Sequence, residues 1–316
     1  MALYALRRVL AAIPLLLVTS FIVFSFVHLS PGSPEQILVG GHNVDPQTLA
    51  AIRAHYHLND PFLVQYWDWL KNVLHGDLGQ SLVFKDSVTH VIGPRILPTV
   101  ELAVYALVLI TVAGLGIGII TGIRRNSRLD TALSGVTLVG ASMSVYVSGI
   151  LLIALFAVAL GWFPVFGLGS GFGDRIYHLT LPAVALAIAL SALVARVTRA
   201  SLSGSLKLEF VETARSRGLS ERRVIGKHAL RSAFVPVLTI TGLVFGFLIS
   251  GAVLVEYTFG LNGLGALLVQ GVTEKDFPVV QGVTLVFTVS FIVINLVVDL
   301  LYAVVDPRVR LQGKAA

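Results

Sequence analysis

The chain lacks cysteine altogether and carries few charges. The absence of cysteine from its 316 residues excludes disulfides, thiolate catalysis and cysteine-based zinc or iron–sulfur sites. Charged residues make up only 13% of the chain, whereas soluble domains average about 25%. Hydrophobic residues make up 55%, and the mean hydropathy is +0.86. The sequence therefore indicates an all-α polytopic membrane protein.

Motifs for self-contained chemistry are also missing. The chain has no phosphate-binding loop of the form G-x-x-x-x-G-K-[ST], since Gly226-Lys227-His228 lacks both the upstream glycine and the hydroxyl. It has neither H-E-x-x-H nor G-x-S-x-G, so zinc-protease and serine-hydrolase chemistry have no support. We therefore expect no enzyme, no catalytic residue, no metal and no cofactor in this chain. If ATP drives the protein, another subunit hydrolyses it.

Six apolar runs are long enough to cross a bilayer, which takes roughly 20 residues. They cover residues 9–29, 99–123, 131–160, 179–200, 233–256 and 279–303. The first run is too long for a signal peptide and has no small-residue cleavage site after it, so we interpret it as a retained span. The fourth is cut off by Arg196 and Arg199, which would have to extend to the membrane surface.

The distribution of lysine and arginine predicts the orientation. One side of the six-span topology collects 17 of the 23 basic residues: Arg7, Arg8, Arg124, Arg125, Arg128, Arg196, Arg199, Lys207, Arg215, Arg217, Arg222, Arg223, Lys227, Arg231, Arg308, Arg310 and Lys314. Basic residues accumulate in cytoplasmic loops, so both termini are predicted to be cytoplasmic. The net charge of +6 then needs no nucleic-acid partner.

The connection between the first two spans is an extracytoplasmic insert of its own. Asp45-Pro46 and Asp60-Pro61 each pair an N-cap residue with proline, which predicts two short helices. In the second helix, Leu63, Tyr66, Trp67 and Leu70 share a predicted face, and Tyr66, Trp67 and Trp69 suit the headgroup level of the membrane. Receptor contact and simple packing on the bundle both remain open for this insert.

Five histidines lie in the same insert, but their spacing does not favour a metal site. His55 and His57 stand two residues apart, so on a helix their rings would point in divergent directions. We interpret these histidines as solvated.

The longest cytoplasmic loop contains a predicted helix–glycine–helix element. Residues Glu209 to Arg217 can form a short amphipathic helix, and Gly218 stands where a helix end favours a left-handed residue. Ser220 is the predicted cap of the next helix. Such an element is suited to docking a soluble partner, although a charged connector without a partner is the alternative.

Two features within the spans stand out. Gly114, Gly118 and Gly122 are spaced four apart, as are Gly242, Gly246 and Ser250. Small residues at this spacing allow close helix packing. An acidic residue, Asp299, lies inside the last span between Asn295 and Tyr302. We favour a structural hydrogen-bond node there over a proton relay or a substrate contact.

These residues and their order resemble the inner-membrane permeases of binding-protein-dependent ABC importers, in the dipeptide, oligopeptide and nickel group. The resembling segments are Gly76-Asp77-Leu78-Gly79-Gln80-Ser81, Pro98 to Leu102, Gly161-Trp162-Phe163-Pro164, Val211 to Leu219, His228 to Arg231 with Pro236, Asp276-Phe277-Pro278, Asn295 to Tyr302 and Asp306-Pro307-Arg308. The chain departs from the group at Ser232 and at Leu261 to Gly265. Neither departure affects the resemblance as a whole.

The resemblance implies a fold, partners and roles for particular residues. The fold would be that of a type I ABC importer permease with six transmembrane helices and a small helical extracytoplasmic insert. The partners would be a second homologous permease, two ABC ATPase subunits that bind ATP and Mg, and an extracytoplasmic solute-binding protein. ATPase coupling would fall to Glu212, Thr213, Ala214, Arg215, Gly218 and Leu219 in a coupling helix at about 208–218. Structural roles would fall to Pro236, Asn295, Asp299, Gly114, Gly118 and Gly122.

The expected domains are helix 1 at 1–30, the insert at 31–98, a transmembrane core at 99–305 and a cytoplasmic tail at 306–316. The expected location is the bacterial inner membrane, and the expected cargo is a di- or oligopeptide. The alternatives are nickel, haem or another small solute on the same machinery, and an ion-coupled secondary transporter that would use Asp299.

Overall fold

A computed structural model describes residues 2–29, 45–47, 60–81 and 83–305, with side chains described for 10–26, 45–47, 60–81 and 83–298. The helices are α1 (Ala2–Leu29), α2 (Phe62–Leu74), α3 (Val88–Ile123), α4 (Arg128–Ser142), α5 (Val145–Leu152), α6 (Phe172–Ser205), α7 (Glu209–Ser216), α8 (Glu221–Arg223), α9 (Leu230–Thr258), α10 (Leu264–Thr273) and α11 (Phe277–Val305). Two antiparallel strands, β1 (Gln80–Ser81) and β2 (Asp86–Ser87), form a hairpin before α3.

Four described helices are long and apolar enough to cross a membrane. They are Val88–Ile123, Phe172–Ser205, Phe277–Val298 and Glu221–Thr258, the last joining α8 and α9 through a π-helical segment at Val224–Ala229. α1 adds an apolar helix of 28 residues, of which Leu10–Phe26 is described in full. Five of the six predicted spans thus lie on single helices, with ends up to 11 residues away from the predicted ones.

The third predicted span, 131–160, is not one straight helix but a bent pair of helices that together are apolar enough to be a span. α4 ends at Ser142, and α5 continues through a π-helical segment, Ile153–Ala159, after a bend of 103°. Met143 and Ser144 have extended backbone angles, so neither continues the hydrogen-bond ladder of α4. The helices on both sides of the break are apolar, so hydropathy alone could not reveal the break.

Two compact units can be distinguished, each with its own core. One unit contains Val100–Leu261 and Val297–Ala316, and the other contains Ala2–Thr99 and Asn262–Leu296. In the first, buried residues of α3, α6 and α9 form the largest cluster, which includes Leu102, Leu186 and Leu248. In the second, Val88, Val91, Leu267 and Val283 are among the residues of a smaller cluster that joins α3, α10 and α11.

The predicted insert helix α2 exists, and it packs on α1 through its aromatic residues. Phe62, Tyr66 and Trp69 pack against Phe21 and Phe24 of α1 at ring separations of 5.2–5.6 Å. The Tyr66 hydroxyl also lies 2.8 Å from Ser20 Oγ. Leu63 and Trp67, which were predicted to share a face with Tyr66 and Leu70, are exposed, because Phe62, Tyr66 and Trp69 make the contacts with α1.

The start of α2 also differs from the prediction. Pro61 occupies the N-cap position, and no side chain caps the helix. Of the other predicted insert helix only residues 45–47 are described, so most of it lies outside the described residues, as do His42, His55 and His57.

Candidate functional site

The charged loop folds into a compact element at residues 206–224, here called the 206–224 segment. α7 ends at Ser216, and Gly218 follows in the left-handed conformation with φ +76°. The Gly218 N–H donates to the Arg215 carbonyl at 2.9 Å, and the Leu219 N–H donates to the Ala214 carbonyl at 3.3 Å. This pair of bonds is a Schellman motif, which explains why a glycine is required between the two helices.

A small apolar core holds the two arms of this segment together. Val211, Ala214 and Val224 are buried, and Leu206 and Leu219 pack against them. The contact of Leu219 with this core supplies the hydrophobic half of the Schellman motif. Of the predicted coupling residues, Ala214 and Leu219 therefore face inwards, whereas Glu212, Thr213, Arg215 and Gly218 are exposed.

An ion pair also closes the turn. Arg215 Nε donates to Glu221 Oε1 at 2.8 Å, and Nη2 donates to Oε2 at 3.4 Å. The hydrogen bonds to this carboxylate raise the pKa of Arg215 above its ordinary value. Both side chains are largely exposed, so the pair contributes about 0–1 kcal/mol. Ser220 stands at the N-cap position as predicted, but its side chain makes no cap hydrogen bond there.

The exposed side of the segment carries two large apolar residues among its charges. Leu208 is 43% exposed and Phe210 is 46% exposed, and both flank the start of α7. Glu209 and Glu212 lie in the first turn of α7, where negative charge complements the helix dipole. Aromatic and aliphatic side chains held on a rigid helix next to charges are typical of a protein-docking surface.

Leu206 connects the segment to the membrane helices. It contacts the segment's own core and also a second cluster made of Leu202, Ala229 and Ala233, with Ile119 packed against it. Leu202 is on α6 and Ala233 is on α9, so the segment is attached to the ends of two spans. A displacement of α7 would therefore be passed directly to both helices.

The three glycines of α3 face α6 at very short range; we call them the glycine face. A Cβ on Gly114 would lie 2.6 Å from Val194 Cβ, and one on Gly118 would lie 2.5 Å from Thr198 Cβ. At Gly122 the corresponding distance to Leu202 is 3.2 Å. On α9, Gly242 meets Val298 of α11 in the same way, at 2.4 Å.

An ion pair that the sequence analysis missed lies close to the glycine face. Asp130, in the first turn of α4, is 3% exposed and accepts bonds from Arg199 Nε and Nη2, both at 2.8 Å. Its carboxylate also accepts from the Asn126 N–H, while Ser127 Oγ accepts from the Asp130 N–H. Arg199, which was predicted to extend to the membrane surface, pairs with Asp130 while its side chain stays 35% exposed. The Ser127-x-x-Asp130 spacing resembles a capping box, and this was the sequence signal that Asp130 has a structural role at the start of α4.

The motif that ends at Ser81 and the motif that begins at Asp276 meet in the unit formed by Ala2–Thr99 and Asn262–Leu296. Ser81 donates its hydroxyl proton to Asp276, and both residues are almost fully buried. Asp276 directly precedes α11 and also accepts from the Val279 N–H. Burial raises the pKa of Asp276, while the bonds from Ser81 and Val279 act in the opposite direction. The hairpin is thus attached to the start of α11 across 195 positions of sequence.

The remaining predicted residues have simpler surroundings. Pro236 lies within α9 and is exposed. The Asn295 amide donates to the Phe291 carbonyl of its own helix at 2.8 Å. The side chains of Asp299 and Tyr302 lie outside the described residues, so their proposed node with Asn295 stays a prediction.

Glu256, near the end of α9, is fully buried. Glu101 pairs with Arg175, whose Nη1 lies 2.7 Å from Glu101 Oε1. In the part of the chain that the structure describes, no group of three or more His, Asp or Glu side chains is arranged to hold a metal ion.

Two family models match most of the chain. The family described as the binding-protein-dependent transport system inner membrane component matches residues 114–311, and its N-terminal companion matches residues 1–103. The chain belongs to the binding-protein-dependent transport system inner membrane components. It is thus an inner-membrane, multi-pass permease of the ABC importer class.

Curated relatives agree with this membership. The glutathione transport system permease protein GsiC of Salmonella choleraesuis (strain SC-B67) is 40% identical over 307 residues, which cover 97% of this chain and 98% of the relative. GsiC of Escherichia coli (strain K12) is equally similar, with the same coverage.

Solved structures confirm the fold of the permease. The inward-facing MetNI methionine ABC transporter matches with a TM-score of 0.55 at 16% identity, covering 68% of this chain and 96% of that chain. An amino acid ABC transporter solved with histidines matches with a TM-score of 0.51 at 21% identity, covering 70% and 94%. The permease therefore has the type I ABC importer fold predicted from its motifs.

Proposed function

We propose that this permease imports di- or oligopeptides, with transport driven by ATP hydrolysis in separate subunits. The observation that carries the cargo class is the 40% identity to a permease named for glutathione, itself a short peptide, over nearly the whole of both chains. Nickel, haem or another small solute on the same machinery is the alternative cargo, since the separate binding protein selects the solute in such a system.

The geometry of the 206–224 segment supports its role as the ATPase-coupling element. It is rigid, because a Schellman motif, a buried core and an ion pair hold it. It offers Phe210 and Leu208 on its exposed side, and it is attached through Leu206 to the ends of two spans. A nucleotide can bias a transporter only by binding its two states differently, and such an element would pass that bias from ATPase to membrane.

The complex would contain this permease, a second homologous permease, two ATPase subunits that bind ATP and Mg, and an extracytoplasmic solute-binding protein. Both termini and the 206–224 segment would be cytoplasmic, which the concentration of 17 of 23 basic residues on that side supports. We propose the same four domains that the sequence led us to expect: helix 1 at 1–30, the insert at 31–98, the transmembrane core at 99–305 and the cytoplasmic tail at 306–316.

Uptake into proteoliposomes tests the transport proposal. The complete complex should accumulate labelled glutathione or a labelled dipeptide only with ATP and the binding protein, and the purified permease alone should hydrolyse no ATP. Accumulation of nickel or haem but not peptide would replace the cargo assignment. ATPase activity of the isolated permease would refute the division of labour.

Single cysteines test the docking and the orientation, because the native chain contains none. Phe210→Cys should crosslink to an ATPase subunit, whereas Ala214→Cys should not, since Ala214 is 5% exposed. In intact cells an impermeant thiol reagent should label cysteines at His75 and Phe172 and should leave those at Arg128 and Ser220 unlabelled. The reverse labelling pattern would overturn the orientation.

A further inference from the structure

Helix α2 has three distinct sides. Phe62, Tyr66 and Trp69 pack on α1, as described above. Leu63, Trp67 and Leu74 fall within about 40° of one another at 3.6 residues per turn, and they are 68%, 56% and 77% exposed. Asp68 and Asn72 lie on a third side and are polar. A helix in water needs no such exposed apolar side between its packed side and its polar side.

The position of α2 along α1 indicates its depth. The Tyr66 hydroxyl contacts Ser20, which is nine residues before the end of α1 at Leu29. At 1.5 Å per residue, about 14 Å of helix separates this contact from the end of α1. Gln281 of α11 donates to the Val23 carbonyl at 3.3 Å, only four residues after α11 begins. The contact region of α2 thus lies beside a membrane-spanning part of α1, about 10 Å from the start of α11.

The helix on which α2 packs itself exposes large apolar residues. Val18 and Ile22 of α1, close to the residues that contact α2, are 57% and 50% exposed. On a membrane-spanning helix such residues face acyl chains. Leu63, Trp67 and Leu74 are likewise exposed and apolar, on the helix that packs against α1.

The charged residues of α2 are placed as at a membrane interface. Lys71 Nζ lies 5.7 Å from the centre of the Trp67 ring and 2.9 Å from Asp68 Oδ1, so the ammonium group sits at the border between the apolar side and the polar side. Tryptophan and lysine at such a border are typical of helices that lie in the headgroup region.

We propose that α2 is an in-plane membrane anchor, with Leu63, Trp67 and Leu74 inserted among the acyl chains of one leaflet and Lys71 at the level of the lipid phosphates. Amphipathic helices of this kind insert about 5–10 Å below the headgroups, in agreement with the depth of the α1 contact. The leaflet is the outer one on the orientation proposed above, but the insertion itself does not depend on that orientation. The anchor would fix the insert relative to α1 and leave the Asp68 side towards water.

Spin labels on single cysteines test this proposal in the full complex reconstituted in nanodiscs. Labels at Leu63→Cys and Leu74→Cys should collide readily with oxygen, which concentrates in lipid, and should lose accessibility to a water-soluble nickel chelate. Labels at Asp68→Cys and Asn72→Cys, on the polar side of the same helix, should show the opposite preference. High nickel-chelate accessibility at Leu63 and Leu74 would overturn the proposal.

A docking site for the solute-binding protein would give a different result, which would also overturn the proposal. Labels at Leu63 and Leu74 would then be accessible to the chelate until the binding protein is added. As a second measurement, the double variant Trp69→Phe and Trp162→Phe leaves Trp67 as the remaining tryptophan. Brominated lipids should quench its fluorescence, and an absence of quenching would contradict insertion. None of these readouts depends on cargo or on ATP, so a failure here leaves the proposed transport function standing.

Discussion

The 206–224 segment and the contact between α3 and α6 are held together in opposite ways. The segment relies on neighbours in sequence: a left-handed glycine, two backbone bonds and a core of a few small side chains. The α3–α6 contact depends on the absence of side chains at the glycine face, because there is no room for a methyl group against Val194 and Thr198. We therefore expect changes in the α3–α6 contact to act mainly on stability and changes in the segment to act mainly on coupling.

The largest expected effect is at the ion pair beside the glycine face. Asp130→Ala should destabilise the permease by about 3 kcal/mol, the lower end of the range for breaking a buried pair, because Arg199 remains 35% exposed. The bond that the carboxylate accepts from the Asn126 N–H is lost as well, whereas the N-cap bond from the Asp130 N–H to Ser127 Oγ remains. Thermal unfolding of the reconstituted complex measures the change, and Asp68→Ala, which breaks an exposed pair with Lys71, is the matched control with little expected effect. Equal losses for both variants would show that burial of Asp130 is energetically unimportant.

Adding one methyl group to the glycine face should have the next largest effect. Gly118→Ala would place its Cβ 2.5 Å from Thr198 Cβ and 2.7 Å from the Ala195 carbonyl oxygen, so α3 and α6 must separate. Overpacking of this kind costs about 1–3 kcal/mol. Gly116→Ala on the same helix has no described atom within 4 Å and should be neutral or slightly stabilising. Similar yields and melting temperatures for the two variants would contradict the close contact.

In the 206–224 segment the expected effect is smaller in energy but specific to function. Gly218→Ala forces a side chain into the left-handed region, at a cost of about 1–2 kcal/mol, although no described atom lies within 4 Å of the new methyl group. Peptide imported per ATP hydrolysed should fall, while the complex still assembles. Gly204→Ala, which also has an open surrounding and no positive φ, should keep normal coupling. Normal coupling in both variants would argue against a role for the turn.

The smallest expected effect is on the pH dependence of stability, and it arises where Ser81 of the β1–β2 hairpin meets Asp276. Burial raises the folded-state pKa of Asp276, so the folded protein holds this proton more tightly than the unfolded chain, and stability decreases as pH rises through that range. Ser81→Ala removes a bond that opposes the shift, so the pKa should rise further and the loss of stability should extend to higher pH. The lost bond itself is worth about 1 kcal/mol.

Melting temperatures across a pH series would measure this change. Ser142→Ala, where an exposed hydroxyl bonds only to its own helix, is the control and should leave the pH profile unaltered. An unchanged profile in Ser81→Ala would mean that the Ser81 hydroxyl does not influence Asp276.

Long apolar runs, short glycine-containing motifs and charge asymmetry were the features that sequence could resolve. They located the apolar part of five of the six spans on single helices, with ends up to 11 residues away, identified α7 and the left-handed position of Gly218, and indicated the family. These features depend on local sequence: hydropathy over one span, or backbone geometry within one turn. The break at Met143 and Ser144 escaped notice because it removes no hydrophobicity.

The partners of polar residues were decided only by the tertiary structure. Arg199 pairs with Asp130, Glu256 is buried near the end of α9, and the exposed side of α2 is set by rings of α1. Ser81 and Asp276 stand 195 positions apart, and no period or spacing links them. The sequence alone therefore determined where this chain crosses the membrane and turns, because those properties are local. The fold decided which polar groups meet, because burial leaves a charge or a hydroxyl to be satisfied by whichever partner packing brings near.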